Sequence, residues 1–120
     1  MSTKNIVKVA AVQAAPVFLD LQGGVKKTVS LIQQAAQQGC DLIVFPETWL
    51  PGYPWFIWLN NTMTNMKYFN QYHENSLVVG SDEFNTIAQA AKDNNIYVSV
   101  GASETDHGSL YIGQFLFGSD

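Results

Sequence analysis

The chain has 120 residues, with ten Asp and Glu against six Lys, no Arg, and a formal net charge of −4. That length makes one compact domain, here 1–120, and the 47% hydrophobic content excludes a disordered chain. With neither an arginine fork nor a basic stripe, the composition points away from nucleic acid, and no apolar run is long enough to span a bilayer.

Charged residues are only 13%, about half of the ~25% usual in soluble domains. Such a surface is either covered by further protein or carried by neutral Gln and Asn. The N-terminus runs directly into a strand-like pattern, without the apolar region and cleavage site of a secretory signal. The single cysteine, Cys40, makes no internal disulfide, so a reducing cytoplasm is the expected location.

Taken in chain order, "IVKVAAVQ" (Ile6 to Gln13) is apolar and rich in β-branched residues, which predicts a buried first strand. Val25, Val29, Ile32 and Ala36 then recur at helical spacing, and Gly39 is placed to end that helix. "DLIVF" is a continuous apolar run of the kind found in strands covered on both faces. Beyond Glu47 the period is lost. Eight of the fifteen aromatics lie between Trp49 and Tyr72, predicting a long excursion of loop and irregular helix. Ser81, with Asp82 and Glu83 behind it, reads as the cap of a helix whose apolar face is Phe84, Ile87, Ala88 and Ala91. "NNIYVSVGA" and "SLYIGQFLF" predict two more strands, joined by a turn over Glu104 to Gly108.

Glu47 is the residue that raises a functional question. Groups that act on ligands gather just beyond the carboxyl ends of buried strands, and Glu47 lies two residues past Phe45. Walled by Trp and Tyr it would be partly desolvated, as a general base working near neutral pH requires. Position alone leaves a second reading open, in which Glu47 simply ends a strand at the surface.

The residues around it narrow the choice. "GCDLIVFPETWLPGYP", Gly39 to Pro54, resembles the first signature of the nitrilase branch of the carbon–nitrogen hydrolase superfamily at every defined position. "KVAAVQAAPVFLD", "IAQAAKDNNIYVSVGASE" and "GSLYIGQFLF" extend the likeness along the chain. The resemblance implies an α/β fold, the N-terminal part of an α-β-β-α sandwich, with 1–120 a partial domain of that family. It also implies a Glu–Lys–Cys catalytic set in which Glu47 takes the thiol proton, the thiolate attacks a nitrile or amide carbon, and lysine stabilises the developing charge. Tyr53, Thr48 and Trp49 are then expected to line the substrate, although packing that merely closes the loop explains them equally. No metal and no organic cofactor is implied. The complete protein would be a homo-oligomer acting on a small nitrile or amide.

The lysine and cysteine of that set are expected in segments after Asp120. Cys40 does not replace the nucleophile: it lies seven residues before Glu47 across an extended segment, roughly 20 Å at ~3.3 Å per residue. A base must approach within about 3 Å of the proton it takes, so Cys40 reads as a small core residue. None of the six lysines is expected at the end of a strand beside Glu47, and His73 and His107 lack a second ligand at metal-binding spacing. Three readings follow. In one, the chain is the segment of a nitrilase-type hydrolase that carries the base, inactive by itself. In another, it is a non-catalytic short homologue that associates with full-length subunits. A truncation product without function is the third.

Overall fold

A computed structural model describes residues 5–120. Four strands form one sheet in the order β1 (Val9–Ala11), β2 (Leu42–Val44), β3 (Tyr97–Asp106), β4 (Ser109–Phe117). The first three run parallel and β4 returns antiparallel to β3. Helices α1 (Leu21–Gln37) and α4 (Asp82–Asp93) connect the parallel strands, while α2 (Phe56–Leu59) and α3 (Thr62–Glu74) form the excursion after β2.

Local chemistry explains where each helix starts and stops. Asp20 caps α1 by accepting a hydrogen bond from the Gly23 amide at 2.9 Å. At its other end the amide of Cys40 reaches the Ala35 carbonyl and that of Gly39 the Ala36 carbonyl, a Schellman ending that requires the left-handed Gly39, φ 76°. Ser81 caps α4 through Phe84 N–H, as its sequence predicts. The excursion is more regular than predicted. Asn61 caps α3 by accepting from Thr64 N–H, and the helix runs 13 residues. Its face of Asn, Gln and Lys among the aromatics hides the period in the sequence.

Cross-strand register separates the two faces of the sheet. Ala10, Ile43, Val98 and Phe117 lie in one row, with Val100 and Phe115 beside them. These pack against Ile32 and Ala35 of α1 and Phe84, Ile87 and Ala91 of α4, forming the core. The opposite row, Val9, Leu42 and Tyr97, then Ala11, Val44, Ser99 and Leu116, carries no helix over most of its length. Leu116 is 72% exposed there. The first strand therefore differs from its prediction. It is three residues long, it lies at the sheet edge with Val9 half-exposed, and Ile6 and Val7 lie in the open. It has only the equally short β2 to pair with.

The turn between β3 and β4 is also shorter than predicted. His107 and Gly108 make a two-residue loop with φ of 49° and 82°, the type I′ geometry that matches strand twist. Glu104 is inside β3, opposite Tyr111, because β4 pairs with β3 as far as Asp106, and Leu77 bridges the other edge of the strand there.

Candidate active site

Glu47 sits three residues past the end of β2, in a turn fastened to its neighbours on several sides. Phe45 N–H still bonds to Ser99 O at 2.8 Å, which continues the parallel pairing up to Pro46. Leu50 then joins the edge of β3: its amide donates to Gly101 O at 3.3 Å, and Ser103 N–H donates to Leu50 O at 2.8 Å. Pro51 O accepts from Leu19 N–H, and Gly52 O accepts from the buried Tyr72 hydroxyl at 2.9 Å. The Leu50–Pro51 peptide is cis. The turn is thus held by β3, by the loop before α1 and by α3.

Within this frame Glu47 is exposed, and among the described residues its carboxylate has no hydrogen-bond or ion-pair partner. That differs from the expected aromatic wall. Trp49, two residues on, is 2% exposed and points into the helix layer, where its indole N–H donates to Thr28 Oγ1 at 2.8 Å. Its ring packs on Phe45, centroids 5.4 Å apart. Thr48 is buried in the left-handed region, φ 47°, with its hydroxyl unpartnered. Tyr53 is 38% exposed, 4.7 Å from the Trp55 ring, and its oxygen accepts from Trp58 N–H at 3.2 Å. Glu47, Thr48, Trp49 and Tyr53 therefore share one turn, but the tertiary fold turns Trp49 away from the carboxylate.

Burial pushes the Tyr72 phenol above the ordinary tyrosine value; a hydrogen bond with Ser103 opposes this and the nearby Tyr53 adds to it. Tyr72 was not among the residues singled out in the sequence, nor was Gly101, whose hydrogen side faces the Pro46–Thr48 backbone. A glycine inside an apolar strand pattern is the signal that marks such a close approach.

The remaining candidates lie elsewhere. Cys40 precedes β2 and Glu47 follows it, so the strand separates them; the thiol is half-buried against the core. Lys27 bonds to Ala15 O and lies 5.9 Å from the Trp49 ring, while Lys67 lies over Tyr68. His107 is an exposed turn residue touching Asp106 at 2.7 Å. Among the described residues, no group of three His, Cys, Asp or Glu could hold a metal ion, and no helix is long and apolar enough to cross a membrane. A groove of about 620 Å³ between α1 and α4 is lined by Gln22, Lys26, Asp82 and Glu83 among others, none of them in the Glu47 turn.

The carbon–nitrogen hydrolase family model matches residues 8–120. The chain is 52% identical over 113 residues to a nitrilase of Pseudomonas syringae pv. syringae, covering 94% of this chain and 34% of that protein. To an arylacetone-specific nitrilase of Alcaligenes faecalis it is 53% identical over 116 residues, covering 97% and 33%. A cyanide hydratase of Neurospora crassa is 48% identical over 109 residues, covering 91% and 31%. The chain spans about a third of the length of these curated relatives. Among solved structures, a double mutant of the amidase from Nesterenkonia sp. AN1 in complex with acrylamide superposes with a TM-score of 0.63 at 15% identity, over 99% of this chain and 41% of that one. A glutamine-dependent NAD(+) synthetase from Cytophaga hutchinsonii gives 0.61 at 16% identity, over 94% and 17%. These two share the fold. A signature built on the Glu47 turn, a sheet that carries it at the end of a parallel strand and relatives above 50% identity lead to one assignment: the chain belongs to the carbon–nitrogen hydrolase family, in its nitrilase branch.

Proposed function

We propose that this chain supplies the general base, Glu47, of a nitrilase-type hydrolase. The observation that carries this reading is an exposed, unpaired carboxylate held at the end of β2 on a turn fastened from three sides. A base must be fixed in place yet free to accept a proton, and Glu47 meets both conditions. In the reaction Glu47 removes the proton of a cysteine thiol and the thiolate adds to the nitrile carbon. Lysine stabilises the charge that develops on nitrogen. Uptake of one water and loss of ammonia leave a thioester, and a second water releases the carboxylic acid and restores the thiol. The nucleophile and the cation come from outside these 120 residues, so the chain by itself is inactive. Of the three residues expected to line the substrate, Tyr53 is the one in contact with it, while the buried Thr48 and Trp49 hold the turn from behind. The Tyr53 oxygen already accepts from Trp58, which leaves its own proton free to donate. The cluster of Tyr53, Trp55 and Trp58 favours an arylaliphatic or otherwise bulky nitrile.

The test is a chimera carrying this chain in place of the matching third of the Alcaligenes faecalis nitrilase, assayed for ammonia release from an arylaliphatic nitrile. Glu47→Gln should lower kcat by about 10³-fold with the protein still folded. A chimera that keeps its rate after that change has another base. A second reading is favoured by the uncovered sheet face: the chain associates, without catalysis, with longer nitrilase subunits in an oligomer. Its mark is co-purification with such a subunit that Glu47→Gln leaves untouched.

A further inference from the structure

We propose that Gly101 is the positioning residue for the Glu47 base, an inference that rests on the reading of Glu47 given above. Side chains alternate along β3, so residue 101 points to the same face as Ser99 and Ser103, away from the helices that cover Val98, Val100 and Ala102. The Pro46–Thr48 backbone occupies the space a side chain would fill. A Cβ at 101 would lie 2.4 Å from Pro46 O, 2.8 Å from Glu47 Cα and 3.0 Å from Thr48 N. All three are backbone atoms, which have no rotamer to move into. The turn cannot slide aside either, because Leu50 is hydrogen-bonded on one side to Gly101 O and on the other to Ser103 N–H.

Thr48 supplies independent support. A β-branched residue at φ 47° with a buried, unpartnered hydroxyl is held against its own preference. Such a conformation persists only where the surroundings impose it, and the surface imposing it is β3 at Gly101. The bare strand thus sets the height of the Glu47 Cα above the sheet, and with it the reach of the carboxylate. Gly113, the neighbouring glycine on β4 opposite Ala102, is different: the atoms a Cβ there would meet at 3.0 Å belong to the tip of the Phe115 ring, a side chain on its own strand, and none belongs to the Glu47 turn.

The experiment uses the same chimera with Gly101→Ala, with Gly113→Ala as the control for adding a methyl to a strand. Gly101→Ala should lower kcat about 10–100-fold with KM little changed, as expected for a base displaced by the order of 1 Å. Gly113→Ala should stay within about twofold. In a crystal structure of the folded Gly101→Ala chimera the Glu47 Cα should be displaced from β3. If Glu47→Gln is inactive while Gly101→Ala keeps full kcat, the base stands and the positioning role falls. If Glu47→Gln is active, or the unsubstituted chimera is folded and inactive, the reading of Glu47 falls and this one with it. Should Gly101→Ala fail to fold, Thr48→Gly added to it frees the turn. Recovery of folding supports the collision described, and no recovery overturns it.

Discussion

Tyr72 joins α3 to the Glu47 turn through a single hydroxyl, and its chemistry makes that joint sensitive to alkali. The hydroxyl donates to Gly52 O at 2.9 Å, and burial raises the phenol above its ordinary value of 10.0. The folded state therefore holds this proton more tightly than the unfolded state does. Its contribution is full below about pH 10 and is lost as pH rises from there through the folded value. Tyr72→Phe should cost about 1 kcal/mol at neutral pH, and the gap between parent and variant denaturation midpoints should close above about pH 10. A gap independent of pH would mean that the phenol is not desolvated. Trp49 makes a comparable joint on the helix side. Trp49→Phe removes the donor to Thr28 Oγ1, while Thr28 keeps its own bond to Gly24 O. The expected loss is about 1–2 kcal/mol, read as a shift in midpoint, and an unchanged midpoint would show that the indole bond contributes nothing.

The elements are set by their ends. At Gly39 a Cβ would meet nothing within 4 Å, so the cost of Gly39→Ala comes from φ 76° alone. About 1 kcal/mol is expected, part of it recovered by Asn, which tolerates the left-handed region. If Ala and Gly were equally stable there, the Schellman ending would not form in solution. Ser81→Ala should cost α4 a similar ~1 kcal/mol by removing the acceptor for Phe84 N–H. Circular dichroism would show the loss as earlier fraying of helix on heating, and an unaltered melt would exclude the cap.

At the scale of the molecule the sheet is half covered. Val9, Leu42, Val44, Tyr97, Ser99, Gln114 and Leu116 make a face without a single charge, and the β3–β4 hairpin runs well beyond the three-residue β1 and β2. The radius of gyration is 15.4 Å, against about 13.6 Å for a compact chain of this length. An uncharged apolar sheet face of this kind associates. The 120-residue chain should therefore sediment as oligomers at micromolar concentration, and Leu116→Lys should shift it toward monomer. A monodisperse parent with a sharp two-state melt would count against this.

Much of the fold was legible because its signals are local. The Ser81 cap, the Gly39 stop, the apolar run of β2 and the order of elements depend on residues within about four positions of one another, where propensity and capping act. Glu47 stood out for the same reason, as one acid directly after a buried strand. The rest depended on which distant segments become neighbours. Gly101 is far from Glu47 in sequence and reaches it only because β3 pairs beside β2. Glu104 lies in a strand because β4 folds back and pairs with it through Asp106, and Trp49 turns from Glu47 because Thr28 offers a buried acceptor. The sequence by itself determined the elements and the acid at the end of β2. Only the tertiary structure decided how far that acid stands from the sheet, which side of the turn faces solvent and which face of the sheet is left open. Those distances are set by packing between strands, and no local pattern encodes them.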